Sequence, residues 1–177
     1  QWMEKANAQN SGVPERLNGL AQAYEAAGRP VHEAEKLYRK ALEIQPALAN
    51  IRTNLGRLLE TQGRLSEAIE AYKAAVAEDP WQTEANYNLG TLYFKQNNAS
   101  EAEKYLFQAV RLNPDHINGL GNLGVILAKR GELKNAERMF RRTTQLNPNN
   151  AAMLNNLASL YIQTSRFADA QSLLERS

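Results

Sequence analysis

Apolar residues fall at three- and four-residue spacing along nearly the whole chain, in short runs broken at regular intervals. Between residues 83 and 116, Ala85, Leu89, Leu92 and Tyr93 mark one run, and Ala102, Tyr105, Leu106, Ala109 and Val110 mark a second. Helical periodicity brings such positions onto one face, so the pattern predicts two amphipathic α-helices with polar outer surfaces. Gln96-Asn97-Asn98 separates them. The sister segments place Gln62-Gly63-Arg64 and Arg130-Gly131-Glu132 at the same point, where glycine readily takes the left-handed backbone that ends a helix. Each segment therefore reads as a helical hairpin.

The hairpin recurs. Asn54-Leu55-Gly56, Asn88-Leu89-Gly90, Asn122-Leu123-Gly124 and Asn156-Leu157-Ala158 stand 34 residues apart, and Pro46, Pro80, Pro114 and Pro148 keep the same interval. A proline lacks the N–H that a helix would use and restricts the residue before it, so each proline separates one hairpin from the next. The marks divide the chain into units at 14–48, 49–82, 83–116 and 117–150, with a shorter fifth at 151–177. One hairpin cannot bury its own apolar faces, and the expected fold is all-α, an α-solenoid of stacked antiparallel helical hairpins. The first unit departs slightly, because Gly28-Arg29-Pro30-Val31-His32-Glu33-Ala34 is one residue longer than its counterpart at 63–68. In residues 1–13, the spacing of Met3 and Ala6 suits the tail of a preceding helix, the alternative being a disordered leader in which Trp2 finds no pocket. With Gln1 at the start and Ser177 partway through a unit, the expectation is a fragment of a longer protein.

Small residues serve close packing in this scheme. Gly56, Gly90, Gly124 and Ala158 in the first helices, with Ala68, Ala102, Ala136 and Ala170 in the second, let two backbones approach. Tyr72, Leu106 and Phe140 share one register of large neighbours, and Leu59, Tyr93, Leu127 and Tyr161 share another.

The glycine after Asn-Leu, the alanine opening the second helix, the aromatic or leucine four residues on and the closing proline together resemble the tetratricopeptide repeat, over residues 14–177. The resemblance implies a right-handed superhelix whose first helices line a concave surface and bind an extended or helical protein segment. It implies no catalysis and no cofactor. Asn54, Asn88, Asn122 and Asn156 then stack along that surface, and an amide with two donors and an acceptor suits the backbone of a bound peptide. Such a row is similar to the asparagine ladder lining the tetratricopeptide superhelix of the eukaryotic O-linked N-acetylglucosamine transferase. Gly19 breaks the row in the first unit. A second reading stands beside this one, in which the amides bond neighbouring helices and fix the stack. Both can hold at once.

The same face is expected to carry Arg57, Tyr87, Thr91, Phe94 and Lys95, then Asn118 and Lys129, then Asn155 and Ser159. Tyr87 and Phe94 lie seven apart on one helix and suit an aromatic anchor, although Phe94 equally suits packing against the next hairpin. Lys95 and Lys129 occupy equivalent places and favour an acidic segment. The clamp by which some tetratricopeptide domains hold C-terminal carboxylates is not implied, because its required lysine and asparagine positions read Asn18 and Gln22, Thr53 and Arg57, then Tyr87 and Thr91.

Composition narrows the function classes. The 21 basic and 19 acidic residues interleave to a net charge of +2, which suits solvated helix faces and implies no nucleic-acid partner. No apolar run approaches the length of a membrane-spanning helix, so membrane insertion is not expected and a soluble chain is, with cytoplasm and periplasm both open. The absence of cysteine removes disulfides and thiol chemistry. His32 and His116, the only histidines, sit in different connections with no metal-ligand spacing around them and read as exposed loop residues. Ser66 and Ser100 read as helix caps. Asn98-Ala99-Ser100 matches a glycosylation acceptor, a pattern too short to carry weight. The leading expectation is an interaction scaffold. The alternative is the substrate-presenting arm of a larger enzyme such as a glycosyltransferase, and RNA binding by helical repeats is disfavoured by the near-neutral charge. Apolar faces around Leu160, Tyr161, Phe167 and Leu173 in the last unit suggest self-association.

Overall fold

The computed structural model describes residues 12–176, so the helical start expected around Met3 and Ala6 lies outside the described residues. Among the described residues ten α-helices follow one another: α1 (Val13–Ala26), α2 (Val31–Ile44), α3 (Ala49–Thr61), α4 (Leu65–Glu78), α5 (Thr83–Lys95), α6 (Ala99–Leu112), α7 (Ile117–Lys129), α8 (Leu133–Leu146), α9 (Ala151–Gln163) and α10 (Phe167–Leu174). The architecture is an all-α solenoid of helical hairpins. The chain forms two compact units, Gln1–Asn88 and Leu89–Ser177, with the division falling inside α5.

Within the first unit, α1 pairs with α2 and α3 with α4, and α2 also packs on α3. Buried Ala34, Tyr38 and Ala41 of α2 recur as Ala68, Tyr72 and Ala75 of α4. They meet Ile51, Leu55, Leu58 and Leu59 of α3. Within the second unit, α7 pairs with α8 and α9 with α10, while α7 also packs on α6 and α9 on α8. The buried triplet returns as Ala102, Leu106 and Ala109 of α6, then as Ala136, Phe140 and Thr143 of α8. Spacings of four and three residues keep each triplet on one face. Thr143 stands where the other helices have alanine, and its hydroxyl donates to the Phe140 carbonyl at 2.7 Å, so its burial leaves no polar atom unpaired.

The glycines of the first helices mark close helix–helix approach. A Cβ on Gly56 would come within 2.7 Å of the Tyr72 ring, and one on Gly124 within 2.6 Å of the Phe140 ring. At Gly90 it would meet the Leu106 side chain at 2.8 Å and the Leu106 backbone nitrogen at 2.9 Å. Tyr93 stacks on Tyr105 with ring centroids 5.9 Å apart, closing the other side of that pairing.

Every hairpin turn passes through one residue of positive φ: Gly28 at 65°, Gly63 at 74°, Asn97 at 58°, Gly131 at 83° and Ser165 at 60°. In the third turn Asn98 N–H donates to the Tyr93 carbonyl at 2.9 Å and Asn97 N–H to the Phe94 carbonyl at 3.0 Å, the paired bonds of a Schellman closure. Between hairpins, the residues before the four spacing prolines, Gln45, Asp79, Asn113 and Asn147, have φ between −139° and −131°. The proline ring forces that extended backbone and stops the preceding helix.

The helix starts differ from expectation. Ser66 and Ser100 are each the second residue of their helix, too far in to cap it. Caps with side-chain bonds include Asn98, whose Oδ1 accepts from Glu101 N–H at 3.4 Å, His116, whose Nδ1 accepts from Gly119 N–H at 3.0 Å, and Asn150, whose Oδ1 accepts from Met153 N–H at 3.2 Å. His116 is therefore half-buried and structural, not an exposed loop residue. In the last hairpin Leu160 and Tyr161 are buried, because helical rotation turns them toward α8 and α10. Phe167 is exposed as expected and Leu173 is half-buried, and Ile162 and Leu174 add to the exposed apolar surface.

Candidate functional site

All thirteen candidate contact residues lie on first helices of hairpins: Asn54 and Arg57 on α3; Tyr87, Asn88, Thr91, Phe94 and Lys95 on α5; Asn118, Asn122 and Lys129 on α7; Asn155, Asn156 and Ser159 on α9. The four ladder asparagines are half-buried. Their registers follow from the fixed spacing of the leucine beside each one, since Leu55, Leu89, Leu123 and Leu157 are buried and hold the neighbouring amide at the margin of the core.

In the first unit, Asn54 Nδ2 donates to Oδ1 of Asn18 on α1 at 2.8 Å. The partner of Asn54 thus stands one residue before Gly19, which has no side chain to offer. Arg57 is exposed but bound to Glu25 at 3.1 Å, and Glu25 accepts the Tyr38 hydroxyl at 2.5 Å. Burial first, then that carboxylate, pushes the Tyr38 phenol well above its ordinary pKa. Arg57 accordingly ties α3 to α1. Asn86, two residues before Asn88, is fully buried and donates to the carbonyls of Pro80 and Gln82 at 3.1 and 2.9 Å, fixing the connection into α5.

In the second unit, Asn122 Nδ2 on α7 donates to Thr91 Oγ1 on α5 at 3.4 Å, a long bond that leaves the amide carbonyl and one N–H to other partners. Further along the same two helices, about one turn past Thr91 and two past Asn122, the Lys129 ammonium lies 5.7 Å from the centre of the Phe94 ring. Phe94, Ile126, Ala99, Asn97, Lys129 and Arg130 line a cleft of about 280 Å³. Where α9 packs on α7, a Cβ on Gly121 would sit 2.9 Å from the sulfur of Met153, the movable end of that side chain. Asn118, Asn155 and Ser159 are exposed to solvent, as is Lys95.

The structure therefore brings together Thr91 with Asn122 and Phe94 with Lys129. Four cleft residues, Asn97, Ala99, Ile126 and Arg130, lie outside the thirteen candidates; Ile126 carried only a core signal, Arg130 only a turn signal, and Asn97 and Ala99 belong to a turn and helix start whose path depends on the left-handed Asn97. Chemically, the face offers amide donors and acceptors beside one small apolar recess. Among the described residues no group of three or more His, Asp or Glu side chains is placed to hold a metal ion, and no helix is long and apolar enough to cross a membrane.

Solved structures with the same architecture include YrrB, described as a tetratricopeptide-repeat protein with an unusual peptide-binding site, at 23% identity and a TM-score of 0.80 over 99% of this chain and 90% of that one. Pseudomonas aeruginosa pilF aligns at 24% identity and a TM-score of 0.78, covering 93% of this chain and 75% of that chain. MamA from Desulfovibrio magneticus aligns at 16% identity and a TM-score of 0.78, covering 92% and 95%. At such identities these likenesses speak to fold alone. Among curated proteins none matches the sequence. Tetratricopeptide-repeat profiles match residues 59–121 and 127–177, and a further one matches 13–77. With its profile matches, its phased Asn-Leu-Gly hairpins and the glycine-to-aromatic contacts of Gly56 and Gly124, the chain belongs to the tetratricopeptide-repeat family, whose solenoids serve as protein-interaction scaffolds.

Proposed function

We propose that the first-helix face of the second unit, formed by the end of α5 with α7 and α9, binds an extended segment of a partner protein. The observation that carries this reading is the half-satisfied Asn122 amide beside the Phe94 cleft: a backbone-binding group next to a side-chain recess. Peptide grooves combine main-chain hydrogen bonds for affinity with pockets for specificity, and both elements occur here within one turn of each other. Asn155, Asn156 and Ser159 extend the polar surface along α9, and Asn118 extends it toward the start of α7. In the first unit, Asn54 and Asn88 offer amides on the corresponding helices, with Asn54 already committed on one side to Asn18. YrrB, of like fold, is described as having a peptide-binding site, which supports the reading, and the residues offered for this chain are its own.

The test is site-specific photocrosslinking. A benzophenone amino acid is placed at Ser159 or Val125 on the first-helix face, and at Lys134 on the outer surface of α8, in the 177-residue chain. The expected result is a discrete crosslinked partner segment from Ser159 and Val125 and none from Lys134. Crosslinks confined to Lys134 overturn the reading.

A further inference from the structure

The cleft beside Asn122 has a chemistry that narrows its occupant. Its floor is apolar: the buried Ile126 side chain, the Phe94 ring and the Ala99 methyl. At about 280 Å³ it falls just below the usual size of sites that enclose a whole small-molecule ligand, and suits a single large side chain delivered by a longer chain. Its rim carries two cations with different commitments. Arg130 is paired with both Glu103 and Glu132, so its charge is already balanced within the hairpin wall. Lys129 leans over the Phe94 ring at 5.7 Å, close to the outer limit for a cation–π contact. An ammonium so weakly held, on a flexible four-carbon stem, keeps its donors for an incoming carboxylate.

We propose that the cleft between Phe94, Ile126 and Lys129 anchors a protein segment that carries an aspartate or glutamate next to a large apolar side chain. The apolar side chain enters against Phe94, Ile126 and Ala99. The carboxylate closes on Lys129. The segment's backbone then runs past Asn122, four residues and about one turn earlier on α7 than Ile126, where the free amide groups lie. This inference rests on the peptide-binding reading above and specifies its partner. Desolvation by the apolar side chain strengthens the ion pair, since the same two charges attract more strongly at lower local dielectric. The two halves of the motif therefore reinforce each other, and an acidic residue alone or an apolar one alone gains little.

The test is selection of a phage-displayed library of random dodecapeptides on the immobilised chain, with Lys129→Glu, Lys129→Gln, Phe94→Ala and Asn122→Ala selected in parallel. Wild type should enrich peptides with an acidic residue adjacent to Phe, Leu, Ile or Trp. Synthetic copies should lose affinity on Lys129→Gln and Phe94→Ala by about tenfold, the usual consequence of removing an interface anchor. Lys129→Glu should select basic residues at the acidic position. Peptides that weaken on Asn122→Ala yet bind Lys129→Glu as well as wild type would overturn the anchor while leaving the groove reading in place. If no variant enriches any sequence, both fall.

Discussion

At the scale of single residues, the glycine in Asn88-Leu89-Gly90 has a firmer task than the asparagine. A methyl group at Gly90 would be opposed by the Leu106 backbone nitrogen as well as its side chain, and a backbone cannot rotate away. At Gly121 the opposing atoms are the far end of Met153, which can. Gly90→Ala should therefore cost about 2 kcal/mol despite alanine's better helix propensity, while Gly121→Ala should be close to neutral. Equilibrium urea denaturation of the two variants checks the contrast, and equal midpoints would contradict it. The sequence carried the Gly90 role through its phase with Asn88 and Leu89. It had no way to carry the contact of Gly121 with Met153, which depends on α9 packing against α7.

At the scale of the element, helix ends decide more than helix interiors. Each hairpin has one left-handed turn residue, and two of the five are not glycine: Asn97 and Ser165 take positive φ where their neighbours use Gly28, Gly63 and Gly131. The turn at Asn97 also shapes the candidate cleft, of which it forms one wall. At the opposite ends, the cap residues His116 and Asn150 satisfy backbone N–H groups that would otherwise lack a partner. His116→Ala should lower stability by about 1 kcal/mol, as loss of other side-chain caps does, and thermal unfolding followed by circular dichroism measures it. His116→Asn, which restores an acceptor at the same position, should recover most of the loss. The sequence pattern placed capping two residues too late, at Ser66 and Ser100, where the caps are Arg64 and Asn98. Serine is a good cap only at the position before the helix, and which residue holds that position depends on where the preceding turn closes.

At the scale of the whole molecule, ion pairs stitch successive hairpins within each unit. Arg64 at the start of α4 binds Glu35 of α2 at 2.7 Å and Glu67 at 2.6 Å. The same position two hairpins beyond α5 is Arg166, which binds Glu137 of α8 and Asp169 of α10, each at 2.8 Å. Burial pushes the Glu137 carboxyl up, but the bonds from Arg166 and Tyr161 with the nearby Arg141 outweigh it, and the net pKa lies below the ordinary carboxylate value. Glu35 behaves alike, with Arg64 and Arg39 outweighing its burial. A carboxyl whose folded pKa is lowered contributes stability above its unfolded pKa, near ~4, and loses it as pH falls through the folded value. The melting temperature should hold between pH 5 and 7 and drop below about pH 4. Glu137→Gln should lower it at neutral pH and flatten the acid limb. An acid limb as steep as that of wild type would show that Glu137 does not take part.

The interval of 34 residues, the two helices in each interval and their buried leucine and alanine faces were determined by the sequence alone, because helix periodicity and proline placement are local properties. The family followed from the same marks. What each polar residue of the first-helix face does was decided only by tertiary structure. Arg57 is spent on Glu25 and Asn54 on Asn18, while Lys129 is left over Phe94 at the mouth of a cleft. Residues at equivalent places in the repeat thus have different partners, for the partner is supplied by the neighbouring hairpin, and a repeat pattern specifies spacing without specifying the neighbour's side chain.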